Sequence, residues 1–341
     1  MHYLITGHTG FKGAWLTLLL QSLGHEVSGI ALDPELGSLF EVTGVSENLI
    51  HDIRHDVRVV EGLEEAFRTI SPDVIVHMAA QPLVRHSYVN PRETFETNVM
   101  GTFNVLEAAR ATSSIAAQLI VTTDKVYRNV NQREGYLETD ALGGRDPYSA
   151  SKAMADILAT SWSASFDSAP IGIARAGNVI GGGDVCRDRL MPDLLAAFTT
   201  GEVAAIRYPQ SVRPWQHVLD CLSGYYALSL ALLDGRAQGE WNFGPAASDA
   251  VEVGEIATLA AQEWGQGAAW KYEQPDAIHE AELLVLDSSK AEMNLGWNNT
   301  LDHRLAVRWT VEWSKSVLEG RNPREVTLAQ IQRFKEASSL A

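Results

Sequence analysis

An α/β fold is predicted, with a doubly wound parallel sheet and a smaller C-terminal part. Three observations predict it. Short apolar runs alternate with helical patterns through the first half of the chain. A glycine-rich turn separates the first apolar run from the first helical pattern. The alternation then breaks after Arg175. Strands joined through helices build right-handed βαβ units, and their sheet is covered on both faces.

The elements follow in order. Strands are predicted at 3–6, 26–31, 48–51, 73–78, 117–122 and 170–175. Helices are predicted near 12–23, which Gly24 closes, and near 57–69, 91–112 and 148–165. Beyond Arg175, Gly177–Gly183 reads as a loop and 192–200 as a short helix. Strand-like pieces near 203–207, 215–218 and 240–243, with helices near 221–234, 253–264 and 303–319, are expected to form a lid. Residues 1–176 are thus expected to be one domain, with 215–235 returning to it. Residues 177–341 are expected to be mostly a second.

Composition narrows the function. The 341 residues are 45% hydrophobic and 21% charged, so the chain is expected to bury a sizeable core. A net charge of −16 argues against general binding of nucleic acid or anionic membrane. An anionic ligand must instead meet a local cluster of basic groups. The longest apolar runs, 14–20 and 225–233, fall far short of the ~20 residues of a membrane helix. No basic lead precedes Tyr3-Leu4-Ile5-Thr6, so no signal peptide is expected. Cys186 and Cys221 fit neither a disulfide framework nor a zinc site. They read as reduced thiols of a cytoplasmic protein, and no metal is expected.

The first strand runs into Gly7-His8-Thr9-Gly10-Phe11-Lys12-Gly13, a G-x-x-G-x-x-G turn. Glycines there allow a tight turn and close approach of backbone to a pyrophosphate, while the following helix N-terminus offers free N–H groups. An ordinary βα turn is the plainer alternative, but a strand before and a helix after favour a Rossmann-type dinucleotide site. Gly7, Thr9, Gly10, Phe11, Lys12 and Gly13 are expected to face the cofactor. Asp33 ends the second strand, where a carboxylate meets the adenosine ribose and repels a 2′-phosphate. That favours NAD over NADP, unless Asp33 merely caps the turn before Pro34. Asp52 and Ile53 are placed at the adenine, and Ala79, Ala80 and Gln81 under the cofactor at the end of the fourth strand.

Tyr148 and Lys152 form Y-x-x-x-K on one helical face. A phenol near pKa ~10 is a poor base, but a neighbouring ammonium favours the phenolate. Thr123, Asp124 and Lys125 end the fifth strand, at the sheet edge where ligands meet α/β folds. A solvated turn pair is the plainer reading of Asp124 and Lys125.

Together the glycine turn, Tyr148, Lys152 and Thr123 resemble the extended short-chain dehydrogenase/reductase family. The string Thr123-Asp124-Lys125 resembles the sugar-nucleotide 4,6-dehydratases, most of which carry T-D-E. With GHTGFKG (7–13), RAGNVIGGGD (175–184), DRLMPD (188–193) and RPWQHV (213–218), the Lys variant is similar to the branch acting on CDP-glucose. The resemblance implies NAD, a homodimer through the helices near 91–112 and 148–165, and CDP-4-keto-6-deoxyglucose as product, feeding cell-surface deoxysugar synthesis. It implies Tyr148 as base at the 4-hydroxyl, Asp124 as acid at the 6-hydroxyl and Lys125 as base at C5. Arg85, Asn178, Arg189, Arg207 and Arg213 are candidate substrate contacts, with a surface salt bridge the alternative for each of Arg189, Arg207 and Arg213. A 4-epimerase, a dehydratase of another nucleotide sugar, and a non-catalytic NAD sensor remain open alternatives.

Overall fold

The computed structural model describes residues 1–274, 282–338 and 340. From the N-terminus run β1 (His2–Thr6), α1 (Phe11–Ser22), β2 (Glu26–Ala31), α2 (Leu39–Val42), β3 (Asp52–Arg54), α3 (Leu63–Ile70) and β4 (Val74–His77). Then come α4 (Val84–Val89), α5 (Pro91–Phe95), a π-turn at Glu96–Met100, α6 (Gly101–Arg110), β5 (Ala117–Val121), α7 (Pro147–Ser165) and β6 (Ile171–Ala176). The remainder holds β7 (Asn178–Ile180), α8 (Leu190–Thr200), β8 (Ala204–Ile206), β9 (Val212–Arg213), β10 (Trp215–His217), α9 (Val218–Leu233) and β11 (Gly239–Phe243). It closes with β12 (Val251–Glu252), α10 (Val253–Trp264), β13 (Trp270–Tyr272), α11 (Ser289–Leu295), α12 (His303–Leu318) and α13 (Pro323–Ala337).

The main sheet has seven strands in the order β11-β6-β5-β4-β1-β2-β3, and every pairing is parallel. The order reverses between β1 and β4, so a crevice opens beyond their carboxyl ends. Strands β4, β5 and β6 are buried along their whole length, as the continuous apolar runs of a two-sided parallel sheet require. Helices α1 and α9 cover one face with Trp15, Leu19, Leu222 and Tyr225, and α3, α6 and α7 cover the other. A second core of α8, α10 and α12 with Phe198, Trp264 and Val307 forms the smaller C-terminal part. No helix among the described residues is long and apolar enough to cross a membrane.

Several expectations are corrected. The third strand lies at 52–54 rather than 48–51, because Val45–Asn48 winds into a 3-10 turn. The helix expected over 57–69 starts only at Leu63, after Gly62 at φ +85°. The helix expected over 91–112 is interrupted by the π-turn that brings Asn98 inward. The loop at 177–183 contains β7, which pairs with β10 away from the main sheet. The strand near 240–243 is not part of the lid. It is the edge strand β11 beside β6. Helix α13 has no counterpart in the sequence reading: Asn322 caps it, Pro323 opens it, and its many charged residues mask the Ile331 and Phe334 it buries.

Candidate active site

The glycine turn sits at the switch point. Gly7 has φ +79°, and a Cβ there would lie 2.7 Å from the backbone N of Ala79. A Cβ on Gly13 would lie 2.3 Å from the carbonyl O of Gly7. Only glycine allows β1, β4 and α1 to approach this closely. No side chain caps α1 and its first turn holds no acid, so its leading N–H groups suit a phosphate. Thr9 bonds Leu32 O at 3.1 Å and steadies the turn.

The two acids expected at the adenosine are engaged with basic groups of this chain. Asp52 lies within β3, and its Oδ1 accepts from His8 Nε2 at 2.7 Å while Oδ2 accepts from Arg54 at 3.0 Å. Asp33 is exposed, with Arg54 Nε 3.4 Å away. His8 and Arg54 were not anticipated, because neither fits a recognised position in the glycine pattern. Gln81 points its side chain to Thr94 Oγ1 at 2.8 Å, and its backbone N–H donates to Asn98 Oδ1 at 2.8 Å. Asn98 also donates to Ser151 Oγ at 2.9 Å, joining the end of β4 to α7.

Asp146 caps α7 by accepting from Ser149 N at 2.9 Å, and Pro147 takes the first helical position. This sets Tyr148 and Lys152 on the face toward β5. Lys152 Nζ donates to Val121 O at 2.7 Å, and burial with nearby Lys12 pulls its pKa down to about 7 against Asp156. Burial pushes Tyr148 up to about 12, opposed by a hydrogen bond with Thr123 and by the Arg189 guanidinium. The groups that oppose burial at Tyr148 are thus Thr123 and Arg189 rather than the expected Lys152.

Thr123 opens a 3-10 turn, and Lys125 N donates to its hydroxyl at 3.3 Å. Asp124 is buried, and burial raises its pKa against Lys125, Thr123 and Arg213. Lys125 is half-buried.

A cavity of about 340 Å³ collects these groups. Thr123, Asp124, Lys125 and Tyr148 line it, with Phe11 and Lys12 at the glycine turn. Asn178, Arg85, Arg189, Arg207 and Arg213 line it from other elements. Lys152, on α7, is not among the lining residues and reaches the strand instead, at Val121 O. Arg213 is buried, whereas Arg189 pairs with Asp184 at 3.0 Å. Arg85 and Arg207 approach the same Asp188 carboxylate at 3.8 and 3.7 Å. The cavity is thus a basic pocket in an acidic protein, facing a buried acid, an amine and a phenol.

The family model of GDP-mannose 4,6 dehydratase matches residues 4–309. The chain is 43% identical over 329 residues to the CDP-glucose 4,6-dehydratase of Salmonella typhimurium, covering 93% of this chain and 91% of that one. It is 29% identical to the probable dTDP-glucose 4,6-dehydratase of Sinorhizobium fredii, over 92% of each. Among solved structures, DesIV of Streptomyces venezuelae, a dTDP-glucose 4,6-dehydratase with NAD and TYD bound, superimposes with a TM-score of 0.82. That match has 24% identity and covers 95% of this chain and all of the other.

Proposed function

The chain belongs to the GDP-mannose 4,6 dehydratase family, and we propose that it is an NAD-dependent hydro-lyase converting CDP-glucose to CDP-4-keto-6-deoxyglucose and water. One observation carries the reading: Thr123, Asp124, Lys125 and Tyr148 line a single cavity with basic side chains. An epimerase has no use for the acid and amine beside the phenol. The 43% identity to a CDP-glucose enzyme supports the choice of base.

The glycine turn, with a cradle that a Cβ would fill at Gly7 and Gly13, fits a dinucleotide. When bound, NAD would take the C4 hydride of the sugar and return it at C6. Tyr148 takes the proton of the 4-hydroxyl while Thr123 hydrogen-bonds the same oxygen. Burial holds the phenol up, so its work as a base depends on the groups that pull it down, the Thr123 hydrogen bond and the Arg189 guanidinium. The 4-ketone acidifies C5–H, and Lys125 removes that proton. Asp124, which burial keeps toward the protonated form, gives its proton to the departing 6-hydroxyl. Lys125 then returns its proton to C5. The proton gained by Tyr148 equals the one lost by Asp124, and Thr123 hydrogen-bonds both. The arginines hold the diphosphate.

A homodimer is also proposed. Met100, Met154 and Ile157 are exposed on the π-turn and α7. Apolar residues there suit a helical interface, which light scattering would test. Both cysteines are free, which suits a reducing cytoplasm. The product suits deoxysugar supply for lipopolysaccharide.

Mass spectrometry tests the activity. Purified protein with NAD is incubated with CDP-glucose, dTDP-glucose, UDP-glucose or GDP-mannose. Loss of one water from CDP-glucose alone is expected. No loss from any of them would point to an epimerase or a binding protein.

A further inference from the structure

Beneath the cavity lies a buried polar cluster that the reaction above does not use. Arg175, at the end of β6, grips Asp156 through Nε at 2.9 Å and Nη2 at 2.6 Å. Its Nη1 donates to the Tyr127 hydroxyl and to the carbonyl O of Glu138, each at 3.0 Å. The guanidinium also lies 5.1 Å from the centre of the Tyr127 ring. Tyr127 in turn donates to Asn242 Oδ1 at 2.7 Å. Asp156 accepts from Thr122 Oγ1 at 3.0 Å. All five side chains are buried.

A buried charge pair of this kind costs desolvation, and well-packed apolar residues often replace one with no loss of stability. Its value lies in what it fixes. Asp156 stands one helical turn beyond Lys152 on α7, the helix that carries Tyr148. Tyr127 stands two residues beyond Lys125 and three beyond Asp124, at the end of their 3-10 turn. Arg175 therefore joins the helix that carries the oxidising pair to the turn that carries the elimination pair, with Thr122 tying in the strand between them.

We propose that Arg175 is a positioning residue for the dehydration step. Acting through the Tyr127 hydroxyl, it holds Asp124 and Lys125 in register with the sugar that Tyr148 and Lys152 oxidise. The fork geometry is essential, because one guanidinium reaches both a carboxylate and a phenol in fixed directions. Small displacements at reacting groups cost large rate factors. Removing the anchor should loosen the 124–127 turn while α7 keeps its cap and its packing.

The proposal rests on the dehydratase reading given above, and the test separates the two. Wild-type and Tyr127→Phe proteins are followed through one turnover of CDP-glucose with NAD. Two signals are read: the near-ultraviolet absorbance of reduced nicotinamide, for C4 oxidation, and product mass, for water loss. In Tyr127→Phe, water loss should slow about tenfold, while C4 oxidation keeps its rate, so reduced nicotinamide accumulates transiently. A merely structural defect would lower both steps together. Arg175→Lys keeps a cation beside Asp156 but lacks the fork. It should show the same imbalance, and it decides the matter if Tyr127→Phe melts early. Equal loss of both steps, or no change in either, in a variant that melts like the wild type would overturn the proposal. A wild-type protein that removes no water would overturn the dehydratase reading instead.

Discussion

Thr123 donates its hydroxyl to Oδ1 of Asp124 at 3.0 Å, while Oδ2 of the same carboxyl is buried with no hydrogen-bond partner among the described residues. A buried oxygen left this way favours the protonated acid, which is the form a departing hydroxyl needs. Asp124→Asn should slow water loss by about 100-fold or more and spare C4 oxidation. Lys125→Met should likewise stall after oxidation and abolish uptake of solvent deuterium at C5. Normal product formation by Lys125→Met would remove that lysine from the mechanism.

The glycine turn yields a paired prediction. Gly13→Ala places a Cβ 2.3 Å from the Gly7 carbonyl, so stability should fall by about 1–3 kcal/mol and NAD titration should fail. Gly10 has φ −75°, and its Cβ would meet nothing closer than the Gly7 carbonyl O at 3.4 Å. Gly10→Ala should therefore melt like the wild type. Equal melting of the two variants would contradict the packing described here.

Asn98 satisfies Gln81 through both backbone groups and Ser151 through its hydroxyl. Asn98→Ala takes the partner from both buried backbone groups of Gln81, while the Ser151 hydroxyl keeps its bond to Tyr148 O. Urea unfolding should show a loss of about 2 kcal/mol or more. A loss under about 0.5 kcal/mol would mean that water replaces the amide at no cost.

Asp220 predicts a dependence of stability on pH. Its carboxylate accepts from Thr300 N at 2.6 Å and Leu301 N at 3.3 Å, yet burial pushes its pKa from 3.8 to about 7. The native state thus holds a proton that the unfolded chain has already released. Stability from this group falls as pH rises from 3.8 to about 7, and is level above that. Melting temperatures of Asp220→Asn minus those of the wild type should rise across that window and then level off. A flat difference would show that Asp220 is not held protonated.

Much of this was legible in the sequence for physical reasons. Strands β1, β2, β4, β5 and β6 read as apolar runs because both faces of a parallel sheet are buried. Tyr148 and Lys152 read as a pair because helix geometry fixes their spacing. Groups that meet only through tertiary contact were not legible. Arg175 lies 48 residues from Tyr127 and 19 from Asp156, and no local pattern joins them. His8 meets Asp52 across β2, where Gly29 leaves room for its ring. The π-turn at Glu96–Met100 was hidden because its residues continue a helical pattern. Strand β11 was misplaced because its pairing with β6 depends on the path of α9.

The most direct test of the account follows one hydrogen. CDP-glucose carrying deuterium at C4 is converted by the purified protein with NAD, and the product is examined by NMR. The label should appear at C6 of CDP-4-keto-6-deoxyglucose, moved within one molecule while water is lost. Label retained at C4, or lost to solvent, would contradict C4 oxidation with return of the same hydride to C6.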